Sequence, residues 1–238
     1  MWHNQTVQII FPAFNEQESI RQAITDFYDT GFVDEVLVVD NNSTDATKAE
    51  ILATRATYLF ERQPGYGAAL TRGLREASAD LIITCEPDGT FSAGDLIKLL
   101  IYSADYDVVF GTRTSKAAIW SGANMGWLLR IGNVAVAKLL EYLFNGPCLT
   151  DVGCTMKLIR RDVLQSFVGR LSVAGSHFQP EFMINCIRSA ARVIEIPVEY
   201  LPRTGESKIT GKLGKAARLG VTMILYILKT RVTTFYSQ

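Results

Sequence analysis

The sequence predicts an α/β protein built on a doubly wound, mostly parallel sheet flanked by helices, and three observations carry that expectation. Short apolar runs of strand length alternate with stretches of helix length from Thr6 to Gly111, the pattern of βαβ units with right-handed crossovers. Polar residues cluster just after four of the strands, where open parallel sheets receive ligands. A chain of 238 residues, 48% hydrophobic and 20% charged, is long enough to bury a full core as one large domain, with or without an appendage.

The elements follow in order. Thr6 to Phe11 is apolar and ends at Pro12; Asn15 with Glu18 three residues later has the form of a capping box opening a helix to about Tyr28. Glu35 to Asp40 is the second strand, and the cap formers Asn41 to Asp45 introduce a helix to about Thr54. Tyr58 to Phe60 is a third strand, and Gly65-Tyr66-Gly67 opens a helix over 68–77. Leu81 to Cys85 reads as an interior strand, followed by a helix over 92–102 and a strand over 107–111. Residues 112–125 form a Ser, Gly and Ala rich loop. A helix over 125–144, a strand over 153–160, a helix over 180–191 and a strand over 191–200 complete the sheet, and Pro202 to Gly211 is a loop carrying two cations.

The stretch that ties fold to chemistry is Glu86-Pro87-Asp88-Gly89, at the end of an apolar strand. Two carboxylates there suit a hard divalent cation, which takes one or two protein carboxylates and completes its shell with water and phosphate oxygens. Pro-Asp-Gly is equally a surface turn. Pro12 to Glu16, Asp40 to Asn42 and Gly111 to Arg113 also follow strands, and the four together would form a pocket of carboxylates, amides and a cation suited to a nucleotide held through a metal. Asp40 also has a capping reading, and Glu16 a helix N-terminal one. No GxGxxG or GxxxxGK[ST] motif is present, which disfavours dinucleotide and P-loop binding.

Net charge is zero, yet Arg203 to Gln238 carries seven cations against one acid, a local charge of +6. Such asymmetry calls for an anionic partner, nucleic acid or an acidic membrane surface. The cations are interleaved with aliphatic residues rather than stacking aromatics, so nucleic acid is not expected. The four cysteines form no CxxC pair and the histidines are His3 and His177 alone. That excludes the usual structural zinc patterns and suits reduced thiols in a cytoplasmic protein. No basic region precedes an apolar run at the N-terminus, and no apolar run reaches about eighteen residues, so neither a signal peptide nor a membrane span is expected.

Taken together, Ile10 to Glu16, Val36 to Asp45, Gly65 to Leu70 and Glu86-Pro87-Asp88 resemble the family-2 inverting glycosyltransferases. Gly111-Thr112-Arg113, Asp151 to Arg160 and Arg203 to Lys208 narrow the resemblance to the polyprenyl-phosphate (dolichyl-phosphate) mannose and glucose synthases. The resemblance spans about residues 6–211 and implies a GT-A fold, a UDP- or GDP-linked sugar donor and Mg²⁺ or Mn²⁺. By the same resemblance Pro12, Phe14, Glu16, Asp40 and Gly65 hold the donor, and Asp88 and Glu86 bind the metal, Asp88 also meeting the donor diphosphate. Glu86 stands where the family usually has Asp. Arg203 and Lys208 close over the diphosphate, while Arg113 and Arg130 cradle the acceptor phosphate, in a catalytic set of Asp88, Arg113 and Arg130.

A polyprenyl phosphate acceptor is already anionic, so the protein needs cations rather than a general base. Arg130 also reads as an ordinary cation on a solvated helix face. The alternative acceptor, a sugar hydroxyl, needs a carboxylate base, for which Asp151 and Glu181 are the candidates. Beyond residue 211 the chain reads as a basic amphipathic helix, with Lys212, Lys215, Arg218 and Lys229 opposite Leu213, Ala217, Val221, Ile224 and Leu228. It is divided here as 1–211, the catalytic domain, and 212–238, a helix lying on the cytoplasmic face of a membrane. The same periodicity fits a helix packed on the domain. Homo-oligomerisation is left open.

Overall fold

The apolar run Val7–Ala13 forms β1, buried throughout its length, between two strands that pair with it in parallel. Those neighbours are β2 (Glu35–Asp40) and β4 (Leu81–Thr84); β3 (Thr57–Phe60) adds in parallel outside β2. Then come β5 (Val108–Thr112), β6 (Lys157–Arg160) and β7 (Val193–Pro197), giving one seven-stranded sheet in the order β3-β2-β1-β4-β6-β5-β7. The computed structural model describes residues 1–123, 125–204 and 213–235.

Alternation along the strands builds two core layers, because successive side chains point to opposite faces. Val7, Ile9 and Phe11 of β1, Val36 and Val38 of β2, and Leu81 and Ile83 of β4 face one side. Helices α1 (Ile20–Asp29), α2 (Thr47–Leu52) and α4 (Leu96–Tyr102) cover that side through Ile24, Ile51 and Leu99. Ile10, Leu37, Val39 and Ile82 face the other, under α3 (Tyr66–Glu76), α5 (Trp127–Phe144), α7 (Phe178–Arg188) and α8 (Leu213–Phe235). Gln8 is the polar exception inside β1: its amide donates to Glu35 Oε2 and accepts from Ser78 N–H, so its burial leaves neither end unpaired.

Three expectations change. The capping box at Asn15 does not form; Asn15 takes a left-handed φ of 54° and its Oδ1 accepts from Thr44 N–H, tying the β1 exit to the β2 exit, so α1 begins only at Ile20. The strand expected over 153–160 is confined to 157–160 and runs antiparallel to both β4 and β5. A short helix, α6 (Arg161–Gln165), follows it. The reversal has a consequence for function: β6 starts at the rim where β4 and β5 end, so its leading segment, Asp151 to Met156, lies beside their C-terminal ends.

Helix α8 packs against α5 and α7 and buries Met223 and Ile227 in the second core layer. The face that packs is therefore centred on these two residues and takes in Ile224 alone from among Val221, Ile224 and Leu228 of the predicted apolar stripe. Of that stripe Val221 and Leu228 stay exposed and join Leu225 and Val232 as an uncovered apolar row. The 211/212 division lies outside the described residues.

Helix α3 is held by close backbone approach at its start. A Cβ on Gly67 would fall 2.1 Å from the Val173 carbonyl oxygen and 2.9 Å from Phe178 Cβ. Gly67→Ala should destabilise the fold by about 1–3 kcal/mol, overpacking outweighing the gain in helix propensity of about 1 kcal/mol. Urea denaturation reads it, and a variant as stable as the parent would contradict so tight a contact.

Candidate active site

At the end of β4 the chain turns sharply through Asp88 and Gly89. Asp88 Oδ1 accepts from Thr90 N–H at 3.0 Å and from Thr90 Oγ1, which is the turn the sequence suggests. The second oxygen is different. Asp88 is buried, and among the described residues its Oδ2 has no hydrogen bond; Arg203 Nη1 lies 3.0 Å away as an ion-pair contact without hydrogen-bond alignment. Arg203 reaches across with its other terminal nitrogen to Glu16 Oε1 at 2.7 Å, so one guanidinium spans the exits of β1 and β4. Beside them, burial and the Asp88 charge push the Glu86 carboxyl up to about 8, against the pull of Arg203 and Arg113.

The cation at the end of β5 is held rigidly. Arg113 forms a two-point bond to Asp151, Nε to Oδ2 at 2.9 Å and Nη2 to Oδ1 at 3.0 Å, and its backbone N–H also donates to Oδ2. The Glu195 carboxylate of β7 accepts from Thr150 and from Asp151 N–H, which fixes the segment carrying Asp151. Burial works against charge on both partners, but Asp151 keeps Arg113 protonated well above its usual range, and Arg113 draws Asp151 below the usual carboxylate range. The guanidinium carbon lies 5.1 Å from the centre of the Tyr200 ring. Gly153 closes the corner, since a Cβ there would stand 2.8 Å from Asn133 Oδ1 and 3.0 Å from Arg113 Nη2. Arg130, one turn before Asn133 on α5, is half-buried.

The other residues singled out by sequence lie around the same rim. Asp40 is buried; Oδ1 accepts from Ser43 N–H and Oδ2 from the Tyr58 hydroxyl, whose pKa rises to about 12 with its burial and this bond. It caps the turn after β2 rather than helix α2. Phe14 stands exposed beyond β1, whereas Pro12 is buried within the strand. Gly65 opens α3 at a φ of 135°, where a Cβ would meet the Ala174 carbonyl oxygen, and its N–H donates to Asn41 Oδ1. Asn41 also donates to the Glu61 and Gln63 carbonyls, anchoring the loop that leads to α3. Lys208 lies outside the described residues.

Neither candidate general base is available in the form a hydroxyl acceptor needs. Asp151 is wholly buried against Arg113. Glu181 is buried in α7 and accepts from Ser172 N–H, Ser172 Oγ and Val173 N–H, so it secures the loop before the helix. Several groups at the site were not singled out as site residues by the sequence. Tyr66 is electrostatically coupled to Glu86 and accepts from Gln179 Nε2, and Tyr200 stacks near Arg113. Lys157 is a buried cation whose Nζ donates to the Cys154 carbonyl. Aromatic and amide residues inside regular elements look like core, and only their neighbours reveal them.

Asp88 Oδ2 passes the test for a cation ligand: it is a buried carboxylate oxygen whose one compensating contact is itself a cation. Among the described residues no cluster of three or more His, Cys, Asp or Glu exists. A sparse set of one or two carboxylates is what a hard cation takes when phosphate oxygens and water complete its shell.

Removing one partner of the Arg113–Asp151 pair leaves a buried charge uncompensated, so Asp151→Asn should lose about 3–5 kcal/mol of stability near neutral pH. Because the folded-state pKa of Asp151 is depressed, its contribution is complete above its ordinary value and is lost as pH falls through the folded value. The gap between parent and variant should therefore narrow in acid. Chemical denaturation at pH 7 and pH 3 checks it, and an equal gap at both would refute the assignment.

Residues 8–167 match the profile described as glycosyl transferase family 2. An uncharacterized glycosyltransferase of Mycobacterium tuberculosis is 33% identical over 211 residues, covering 87% of this chain and 91% of its own length. Two relatives carry more specific names. A dolichyl-phosphate hexose transferase of Haloferax volcanii is 27% identical, covering 94% of this chain and 95% of its own. An undecaprenyl-phosphate mannosyltransferase of Micrococcus luteus is 28% identical, at 91% and 92%. Among solved structures, glucosyl-3-phosphoglycerate synthase from Mycobacterium tuberculosis, in complex with Mn²⁺, UDP and phosphoglyceric acid, superposes with a TM-score of 0.72. It is 20% identical, over 96% of this chain and 78% of that one. The fold is thus the GT-A arrangement that the sequence leads one to expect. With the family profile running from β1 through β6, and a relative 33% identical along most of the chain, the protein belongs to glycosyl transferase family 2 and is a glycosyltransferase.

Proposed function

We propose that the protein transfers a hexose from a nucleotide sugar to a polyprenyl phosphate at a membrane surface, inverting the anomeric carbon and using a divalent cation held by Asp88 and Glu86. The observation that carries the reading is the pairing of an unbonded buried carboxylate oxygen, Asp88 Oδ2, with a rigid guanidinium, Arg113, on one rim. The first suits a metal and its diphosphate; the second suits an acceptor that arrives as an anion. Mn²⁺ and UDP in the complex of the structural neighbour support the metal and donor class, and the two relatives named for lipid phosphates support the acceptor.

In this reading Pro12, Phe14, Glu16, Asp40 and Gly65 line the nucleoside end, and Arg203 and Lys208 attend the diphosphate. Arg113, with Arg130, orients the acceptor phosphate. Asp151 engages Nε and Nη2 of Arg113 in a two-point bond, which fixes the guanidinium plane that an acceptor phosphate would meet. A phosphate oxygen forms the new bond to the anomeric carbon as the bond to the nucleoside diphosphate breaks, and the leaving group departs as an anion. No proton has to move, in keeping with the engagement of Asp151 and Glu181. When bound, the cation supplies charge neutralisation of that leaving group.

A lipid acceptor requires a surface that tolerates lipid, and α8 offers one. Its uncovered row Val221, Leu225, Leu228 and Val232 is edged by Arg218, Lys229 and Lys215, and α5 alongside exposes Trp127, Leu128 and Ile131. An apolar row bordered by cations fits the headgroup plane of an anionic membrane. Among the described residues no helix is long and apolar enough to cross a membrane.

Purified protein with Mn²⁺ or Mg²⁺, a short polyprenyl phosphate and UDP- or GDP-sugars in separate reactions should yield a lipid-linked sugar. Asp88→Asn should lower its rate at least about a hundredfold. Full turnover in EDTA would sink the metal reading, and transfer to sugar hydroxyls with none to the lipid phosphate would sink the acceptor reading. The intact chain should also co-sediment with anionic liposomes at low salt and release as salt rises, each cation contributing about 1 kcal/mol. The exposed double change Val221→Glu/Leu225→Glu should abolish that binding, and liposomes ignored by the intact chain would end the membrane reading.

A further inference from the structure

Arg203 stands on the one Asp88 oxygen that a metal could use. Oδ1 is saturated by Thr90, through N–H and hydroxyl; Oδ2 has no hydrogen bond among the described residues, and Arg203 Nη1 stands 3.0 Å from it as an ion pair. The arginine is held there from two sides. Its Nη2 is fixed at 2.7 Å to Glu16. Its backbone belongs to a strap, 201–204, that lies over the acidic turn, with Leu201 N–H donating to the Thr90 carbonyl and Thr204 N–H to the Asp88 carbonyl, both at 2.9 Å. Gly89, at a φ of 78°, admits the strap, since a Cβ there would fall 3.1 Å from Thr204 Oγ1.

A second feature shows what would move the arginine. Its Nε is buried and has no acceptor among the described residues. A guanidinium with two arms on carboxylates and one buried N–H unsatisfied is poised to exchange partners, because an anion reaching Nε gains a charge-assisted hydrogen bond that the empty site lacks. The diphosphate of a donor is such an anion.

We propose that Arg203 is the resident counter-ion of the metal site: it neutralises Asp88 and Glu16 while the site is empty, and a divalent cation binds well only when a nucleoside diphosphate draws the guanidinium off Asp88. This rests on the reading of Asp88 as metal ligand, and adds that metal and nucleotide enter as a coupled pair. The coupling is reciprocal by linkage: whatever the nucleotide does for metal affinity, the metal does for nucleotide affinity. The arrangement also keeps the buried Asp88 carboxylate from standing uncompensated between turnovers.

Mn²⁺ binding to the full chain, followed by loss of the free-ion electron paramagnetic resonance signal with and without UDP, tests this without any turnover. The parent should bind Mn²⁺ poorly alone and much better with UDP. Arg203→Met should bind Mn²⁺ alone at least about tenfold tighter than the parent, the size of one charge-assisted contact removed from competition, and should gain less from UDP. Arg203→Gln, neutral but polar, should behave alike, and thermal melts confirm that both are folded. Equal nucleotide-free affinity in parent and variants, with UDP still promoting binding, overturns the counter-ion role and leaves the metal site standing. Failure of every form to bind Mn²⁺ even with UDP overturns both.

Discussion

The buried bond between Arg113 and Asp151 is the constraint on which the β5, β6 and β7 side of the polar rim depends. It joins the end of β5 to the segment that leads into β6, and Glu195 of β7 locks that segment from behind. Three strands thus converge on one guanidinium. Desolvating two charges is expensive, and the geometry offsets it with a planar two-point bond and a backbone N–H on the same carboxylate. Replacing such a pair with apolar residues could serve stability as well; what an apolar pair could not do is present a fixed cation beside the acidic turn.

The other side of the rim, at the exits of β1, β2 and β4, follows a different logic, in which short polar turns shape the strand ends. Asp40 and Asp88 each spend one oxygen on a backbone N–H two or three residues ahead, which shapes the strand exit. Asp40 gives its other oxygen to Tyr58. Asp88 does not: its other oxygen has no hydrogen bond among the described residues and lies against Arg203 as an ion pair. The turn reading of Pro87-Asp88-Gly89 is therefore accounted for by one oxygen, and the proposed metal reading rests on the other. Asn41 works in the same spirit, its side chain bonding three backbone groups so that Gly65 arrives at the rim.

Helix α8 shows how one amphipathic pattern can serve two surfaces. Met223 and Ile227 bind it to α5 and α7, while Val221, Leu225, Leu228 and Val232 face outward. Apolar residues cover well over half of the helix circumference, more than docking on a globular domain consumes. The surplus is what an exposed apolar row between cations means physically: either a second partner or a lipid surface must account for it.

What the amino-acid sequence determined by itself is the alternation of strands and helices, the two-sided burial of β1, β2 and β4, and the four polar rim segments. These are written in periodicities of two and about 3.6 residues and in turn formers that act within a few positions. The family blocks added the roles of Asp88 and Arg113 as expectations. Tertiary structure alone decided the rest. It set β6 antiparallel, because strand direction depends on how a distant segment returns to the sheet and leaves no mark in a strand of four residues. It denied Asn15 its helix cap, because Thr44, 29 residues away, claimed the side chain. It turned Asp151 and Glu181 from candidate bases into anchors by burying their partners beside them. And it set Arg203 on Glu16, 187 residues apart in the chain, a pairing that only the folded rim creates, since the attraction between two charges depends on their separation in space and not on their separation in sequence.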